Sequence, residues 1–143
     1  MTITPLGASA DFTKLDIPMF LDSVPAGFPS PATDYCEETL DLNQLCIKRP
    51  AATYFVRAQG DSMLDAGIFP NDVLVVDRSI EAKHGDIVIA AFNGELTVKK
   101  LATQPTLLLL PMNRKYPPIT VPESSDLEIF GVVTTTIHSL YKV

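Results

Sequence analysis

Several features of membrane, secreted and metal-binding proteins are missing from this sequence. No apolar run approaches the roughly 20 residues that a membrane-spanning helix requires, and the N-terminus lacks the basic-then-apolar order of a signal peptide. The two cysteines, Cys36 and Cys46, are expected to stay reduced, and the two histidines, His84 and His138, lie too far along the chain to form a metal motif with them. We therefore expect a cytoplasmic protein that binds no metal and no cofactor.

Basic residues are also in the minority. The chain has 11 Lys and Arg against 17 Asp and Glu, a formal net charge of −6. Such a charge matches a phosphate backbone poorly, so direct DNA binding is not expected. The 143 residues, 46% of them hydrophobic, fit one compact domain with a short appendage.

The first 33 residues predict an extended N-terminal arm. They contain five prolines and show no sustained hydrophobic period. Next, Asp41 precedes apolar residues at helical spacing and predicts a short helix over 41–47, which Pro50 closes.

The remainder of the chain predicts strands. Short β-branched and aromatic runs, separated by Gly, Pro, Asn and Asp, lie at 53–58, 72–77, 86–92, 95–101, 106–112 and 127–140. Asn93 and Gly94 predict a two-residue hairpin turn between the third and fourth runs, and the last run is long enough to bend at Gly131. Because no long helices alternate with these strands, the pattern favours a mostly β domain over a parallel α/β sheet.

Ser62, in the stretch GDSMLDAG (60–67), has two interpretations. Gly60, Asp61 and Ser62 are turn-forming residues, and a simple turn would explain them. Alternatively, Ser62 is a nucleophile, with backbone N–H groups of Ser62 and Met63 placed to bind an oxyanion. Neither histidine is directed at Ser62 by its local sequence. The residues alone leave both interpretations open.

A lysine base is the other possibility, and VKKL (98–101) contains Lys99 and Lys100. Strand alternation puts them on opposite faces, so only one can face Ser62, and both faces carry apolar residues. A solvated lysine with a pKa of about 10.4 is neutral at pH 7 in roughly one molecule in 2,500. A lysine base therefore needs burial among apolar groups such as Val98 and Leu101. A solvated lysine pair is the simpler alternative.

Two long segments resemble a known family. TYFVRAQGDSMLDAGIFPNDVLVVD (53–77) and HGDIVIAAFNGELTVKKL (84–101) closely resemble UmuD-type members of the LexA-like self-cleaving serine peptidases, the S24 family. FPSPATDYCEETLDLNQL and LLPMNRKYPPIT extend the resemblance over nearly the whole chain from about residue 16. It implies a small, strongly twisted, mostly β fold and a serine endopeptidase that cuts itself, with Ser62 as the nucleophile and Lys99 as the base.

The resemblance also implies a cleavage site. Family members cut between a small residue and glycine, which in VPAGFPSP (24–31) is the bond between Ala26 and Gly27. Pro25 favours extended backbone at Val24, and Ala26 and Gly27 add little bulk around the bond. The expected parts are an arm of residues 1–26, removed by self-cleavage, and a domain of residues 27–143. A plain proline-rich linker is the alternative, and the sequence does not separate cleavage within one chain from cleavage between two.

The partners follow from the same resemblance. It implies an SOS-response accessory protein whose cleavage is stimulated by RecA filaments on single-stranded DNA. The processed homodimer would join a UmuC-type Y-family polymerase for translesion synthesis. An arm of about 26 residues has no room for a helix-turn-helix domain. The alternatives are a LexA-type repressor peptidase without its DNA-binding domain and a non-catalytic β-rich binding module.

Overall fold

The computed structural model describes residues 2–8, 14–20, 36–123 and 125–141. They divide into two compact units, one of residues 10–48 and the other of residues 1–9 together with 49–143. In chain order the elements are β1 (Thr2–Ala8), β2 (Ile17–Phe20), β3 (Cys36–Leu40), α1 (Leu42–Cys46), β4 (Thr53–Gln59), β5 (Val73–Asp77), β6 (Ile87–Phe92), β7 (Glu95–Ala102), β8 (Leu108–Leu110), β9 (Ile119–Thr120) and β10 (Leu127–Ile137). The predicted mostly β fold with one short helix is confirmed.

The larger unit is built around one antiparallel sheet. Its eight strands follow the order β1-β4-β5-β10-β6-β7-β8-β9. β1 pairs along β4 and also meets β7, where Thr2 lies opposite both Gln59 and Thr97. The sheet therefore curls back on itself, and β1 bridges the strand that leads to Ser62 and the strand that carries Lys99.

The smaller unit contains a pair of strands and the helix. β2 and β3 are antiparallel, with Ile17 opposite Leu40 and Phe20 opposite Cys36. α1 begins after Asp41, whose Oδ1 accepts a hydrogen bond from the backbone N–H of Asn43 at 3.0 Å. This cap confirms the helix predicted over 41–47. The thiol of Cys46 is free and half-buried.

The hairpin of β6 and β7 has the predicted turn. Phe92 pairs with Glu95, and the two residues between them, Asn93 and Gly94, have φ values of +51° and +81°. Positive φ at both central positions is what a two-residue hairpin loop of this hand requires. The hairpin aligns β6 and β7 over six residue pairs, from Phe92–Glu95 to Ile87–Lys100, and so fixes the position of Lys99 opposite Val88.

The predicted bend at Gly131 is also present. The register of β10 against β6 shifts between Ile129 and Gly131, and Gly131 has a φ of +152°. A Cβ at this position would lie 2.6 Å from Cγ1 of Val76 on β5. Glycine is needed here because the bend brings the backbone at Gly131 close to Val76 on the paired strand β5.

Some predicted strands have different bounds. The strand predicted over 106–112 is confined to β8, because Pro111 lacks an N–H and the N–H of Met112 donates instead to the carbonyl of Ser62. The strand predicted over 127–140 ends at Ile137, and Nδ1 of the next residue, His138, lies 2.6 Å from Oδ1 of buried Asp72. β3 and β9 were not predicted.

The sequence predicted an extended N-terminal arm but did not predict individual strands within it. β1 and β2 both lie within its first 33 residues. Their pairing depends on distant partners, β4 for β1 and β3 for β2, rather than on alternation of apolar side chains.

Apolar side chains from both faces of the sheet form two buried clusters. The first cluster contains Val56, Ala58, Met63, Ile68, Leu74, Val76, Ile89 and Val98. The second contains Val88, Ala90, Leu101, Leu109, Val121 and Val132. Among the described residues, no helix is long and apolar enough to cross a membrane.

Candidate active site

Ser62 lies in a tight turn that follows β4. Gly60, with a φ of +87°, lets the chain turn away from the strand, and a short 3₁₀ turn over Leu64–Ala66 ends at Gly67. The side chain of Met63 is fully buried in the first core cluster, while Ser62 is only 3% exposed. The turn interpretation of GDSM is therefore correct as local structure, and it also places a serine hydroxyl at a buried, defined position.

Lys99 lies beside this turn. Its Nζ is 3.4 Å from Oγ of Ser62, and the residue is only 6% exposed. Lys100, the alternative lysine, is half-buried and pairs with Ile87 on one side and Leu110 on the other. The structure thus brings Ser62 together with Lys99, the lysine that the family resemblance indicated.

The amine of Lys99 has three hydrogen-bond acceptors around it. Besides Ser62 Oγ, these are Oγ1 of Thr97 at 2.6 Å and the carbonyl oxygen of Val98 at 3.1 Å. Three acceptors match the three N–H bonds of an ammonium group. Thr97 lies on the same strand face as Lys99, two residues earlier. Its role as a partner of Lys99 was missed in the sequence.

Burial lowers the pKa of Lys99 below its ordinary value of 10.5, while the carboxylate of Glu95 acts in the opposite direction. The cause is the loss of hydration around the charged amine. This is the direction that a lysine base requires, because a lower pKa raises the fraction of neutral amine near pH 7.

The histidines, which were the weaker candidates for the base, have contacts elsewhere. Nδ1 of His84 accepts a hydrogen bond from the backbone N–H of Thr103 at 2.9 Å. His138 pairs with Asp72, and its ring lies 4.7 Å from that of Phe69. The described residues include no cluster of three or more His, Cys, Asp or Glu side chains that could hold a metal ion.

Hydrogen bonds to the backbone carbonyl groups of Ser62 and Met63 hold the turn in place. The carbonyl of Ser62 accepts from Met112 N–H at 2.7 Å, and that of Met63 accepts from the N–H groups of Ala66 and Ile68. The N–H of Met63 donates to no backbone carbonyl within the part of the chain that the structure describes. An N–H beside a serine hydroxyl is suited to bind an oxygen that becomes negative during acyl transfer.

Ala26 and Gly27, the predicted cleavage site, lie outside the described residues. They belong to the segment 21–35, which begins and ends at the paired strands β2 and β3. The prediction for this bond therefore stays a prediction.

Comparison with known proteins identifies the family. The peptidase S24-like profile matches residues 18–134, which is most of the chain. The chain belongs to the peptidase S24-like family. It is 56% identical over 121 residues to the protein SamA of Salmonella typhimurium, covering 85% of this chain and 84% of SamA. It is 53% identical over 121 residues to the protein ImpA of Escherichia coli, with 85% and 83% coverage.

A more distant relative is the LexA repressor of Magnetococcus marinus. It is 36% identical over 130 residues, which are 90% of this chain but 55% of the repressor. Members of the S24 family are in general self-cleaving serine peptidases, and SamA and ImpA are UmuD-like proteins. The resemblance to UmuD-type members of the family is therefore confirmed, and it supports an accessory role in SOS mutagenesis.

Proposed function

We propose that this protein is an SOS mutagenesis accessory protein that cuts its own Ala26–Gly27 bond with Ser62 and Lys99. The single observation that carries the proposal is the buried contact of 3.4 Å between Lys99 Nζ and Ser62 Oγ. A serine needs a base within hydrogen-bonding reach, and a lysine base needs burial. Both conditions hold at this pair, in a chain that belongs to a family of self-cleaving peptidases.

In the first half of the proposed reaction, the neutral amine of Lys99 accepts the proton of the Ser62 hydroxyl as Oγ attacks the carbonyl carbon of Ala26. The carbonyl oxygen becomes an oxyanion, which the N–H groups of Ser62 and Met63 stabilise. When the tetrahedral intermediate collapses, the bond to nitrogen breaks and Lys99 returns the proton to the amine of Gly27. The products are an ester between Ser62 and Ala26 and a new N-terminus at Gly27.

In the second half, Lys99 takes a proton from water, and the resulting hydroxide attacks the ester. The ester bond to Oγ of Ser62 then breaks, Lys99 returns the proton to Oγ, and the acid formed at Ala26 loses its own proton to water. The resting contacts suit this cycle, because Thr97 and the Val98 carbonyl hold the amine next to Ser62 in either protonation state. The cut separates an arm of residues 1–26 from a domain of residues 27–143.

The biological partners in this proposal come from the UmuD-like relatives. RecA filaments on single-stranded DNA stimulate the cut, and the 27–143 fragment forms a homodimer that joins a UmuC-type Y-family polymerase in the cytoplasm. An accessory role is favoured over that of a repressor fragment by the relatives themselves. SamA is 56% identical and is matched over 84% of its length, whereas the LexA repressor is 36% identical and is matched over 55%.

Incubation of the purified protein with RecA, ATP and single-stranded DNA tests this function. We expect a fragment whose N-terminal sequence begins at Gly27, and none in a Ser62→Ala control. The 27–143 fragment should then capture a Y-family polymerase, which the Ser62→Ala full-length chain should capture less well. The peptidase proposal would be overturned by an uncut chain, and the accessory role by a cut chain that captures no polymerase.

A further inference from the structure

The loop Met112–Tyr116, here called the clamp loop, contacts the residues on both sides of Ser62. We propose that Asn113 and Tyr116 of this loop are positioning residues that hold Ser62 against Lys99. The proposal rests on the self-cleavage proposed above and adds residues outside the GDSM and VKKL stretches that carry Ser62 and Lys99.

Two backbone hydrogen bonds join the loop to the turn. The N–H of Met112 donates to the carbonyl of Ser62 at 2.7 Å, and the carbonyl of Met112 accepts from the N–H of Asp65 at 2.7 Å. The side chain of Met112 packs against the core cluster that contains Met63. The loop is therefore anchored in the core and bonded to the nucleophile residue itself.

Two side chains of the loop hold the residue before the nucleophile. Nδ2 of Asn113 donates to the backbone carbonyl of Asp61 at 2.8 Å. The hydroxyl of Tyr116 donates to Oδ1 of Asp61, and Nζ of Lys115 lies 3.5 Å from Oδ2 of the same carboxylate. Lys115 contributes least of the three, because its side chain is 75% exposed and its ion pair is screened by water.

Asn113 also shapes the loop. Its Oδ1 accepts from the N–H of Lys115 at 3.0 Å, and its carbonyl accepts from the N–H of Tyr116 at 3.1 Å. One side chain thus sets the loop conformation and binds Asp61 at the same time. The hydroxyl of Tyr116 also lowers the pKa of Asp61, which favours the charged acceptor that this hydrogen bond uses.

The need for a clamp follows from the geometry of the pair. The contact of 3.4 Å between Nζ and Oγ is at the long end of hydrogen-bond distances, so a small outward shift of Ser62 breaks it. Gly60, immediately before Asp61, gives the turn little stiffness of its own. Displacements of about 1 Å can slow an enzymatic reaction on the order of 100-fold.

The test compares first-order rates of self-cleavage between pH 7 and 11 without RecA, together with thermal unfolding of each variant. The test variants are Asn113→Leu and Tyr116→Phe. Each removes a hydrogen-bond donor and leaves a side chain of similar size. Asn113→Gln, which keeps the donor, tests rescue. Arg114→Gln, at an exposed position of the same loop, is the matched control.

We expect Asn113→Leu to lower the high-pH rate about tenfold or more and Tyr116→Phe to lower it severalfold. The pH midpoint should not move, because the pKa of Lys99 is unchanged, and Asn113→Gln should recover part of the rate. Arg114→Gln should stay within about twofold of wild type. If Asn113→Leu is unfolded, the rate of Tyr116→Phe alone tests the positioning role of the clamp loop.

Rates of both test variants within about twofold of wild type would overturn the clamp and leave the proposed function standing. A moved pH midpoint with an unchanged high-pH rate would also overturn it, because the loop would then act on the pKa of Lys99. A wild type that never cuts would refute the proposed function, and the clamp with it.

Discussion

The amine of Lys99 and the hydroxyl of Ser62 lie 3.4 Å apart across 37 positions of sequence. Thr2 accounts for part of this proximity, because it lies opposite Gln59 on β4 and opposite Thr97 on β7. Gln59 leads into the serine turn, and Thr97 binds the lysine amine. The three strands together bring the predicted base to the predicted nucleophile.

Self-cleavage without RecA should become faster as the pH rises. Below its pKa, Lys99 is an ammonium group and cannot accept the serine proton. Because burial lowers the pKa of Lys99, the rate should level off below pH 10.5 rather than above it. The measurement is the first-order loss of intact chain at a series of pH values. A rate independent of pH would count against lysine as the base.

The two neighbouring lysines should differ sharply on substitution. Lys99→Ala removes the amine next to Ser62 and should reduce self-cleavage by about 10³-fold or more. Lys100→Ala changes a half-buried residue that pairs with Ile87 and Leu110, and most of the rate should remain. Band densities on gels over time are sufficient to measure both. Equal losses from the two substitutions would refute the assignment of Lys99.

Lys99 should make the folded protein less stable at neutral pH. Its pKa is lower in the folded state than in the unfolded chain, so the unfolded chain binds the proton more tightly. The folded state is therefore destabilised by the full amount below the folded-state pKa of Lys99. This destabilisation decreases as the pH rises from that pKa toward the unfolded value near 10.5.

Lys99→Met should therefore unfold at a higher temperature than its parent at pH 7, because the folded chain no longer has to bury an amine whose charged form is disfavoured there. The difference should shrink as the pH approaches 10. Both chains should carry Ser62→Ala, so that self-cleavage does not interfere with thermal denaturation. A difference that grows with pH would contradict a lowered pKa.

Gly131→Ala should destabilise the domain by about 2–3 kcal/mol. The new Cβ would lie 2.6 Å from Val76 Cγ1 and 3.2 Å from the Asp77 carbonyl oxygen, on backbone with a φ of +152°. Gly85→Ala is the control, because its φ is +94° but nothing lies within 4 Å of the added Cβ. Urea denaturation should show the smaller loss, about 1 kcal/mol, for the control. Similar losses in both would mean that close packing at Gly131 is unimportant.

The sequence predicted the parts of the fold that local chemistry determines. Asp41 caps a helix by its own carboxylate, Asn93 and Gly94 adopt the positive φ values of a hairpin turn, and Gly131 permits a bend. The family motif then selected Lys99 in place of Lys100. The alternation of apolar residues along β7 could not distinguish Lys99 from Lys100, because Val98 and Leu101 lie on opposite faces of the strand and both are buried.

The features that the sequence did not predict depend on contacts between distant segments of the chain. β1 and β2 form in a proline-containing arm because β4 and β3 offer them backbone partners. The strand predicted to continue to Met112 ends early because Met112 bonds to Ser62. The same loop supplies Asn113 and Tyr116, which are ordinary loop residues until the fold places them against Asp61.

The most direct test of the central claim is the intact mass of three purified chains held at pH 10 without RecA: wild type, Ser62→Ala and Lys99→Ala. Wild type should yield two masses, those of residues 1–26 and 27–143, while both variants stay whole. A cut at any other bond, or a cut in Ser62→Ala, would contradict the assignment of Ser62 and Lys99 to the Ala26–Gly27 bond.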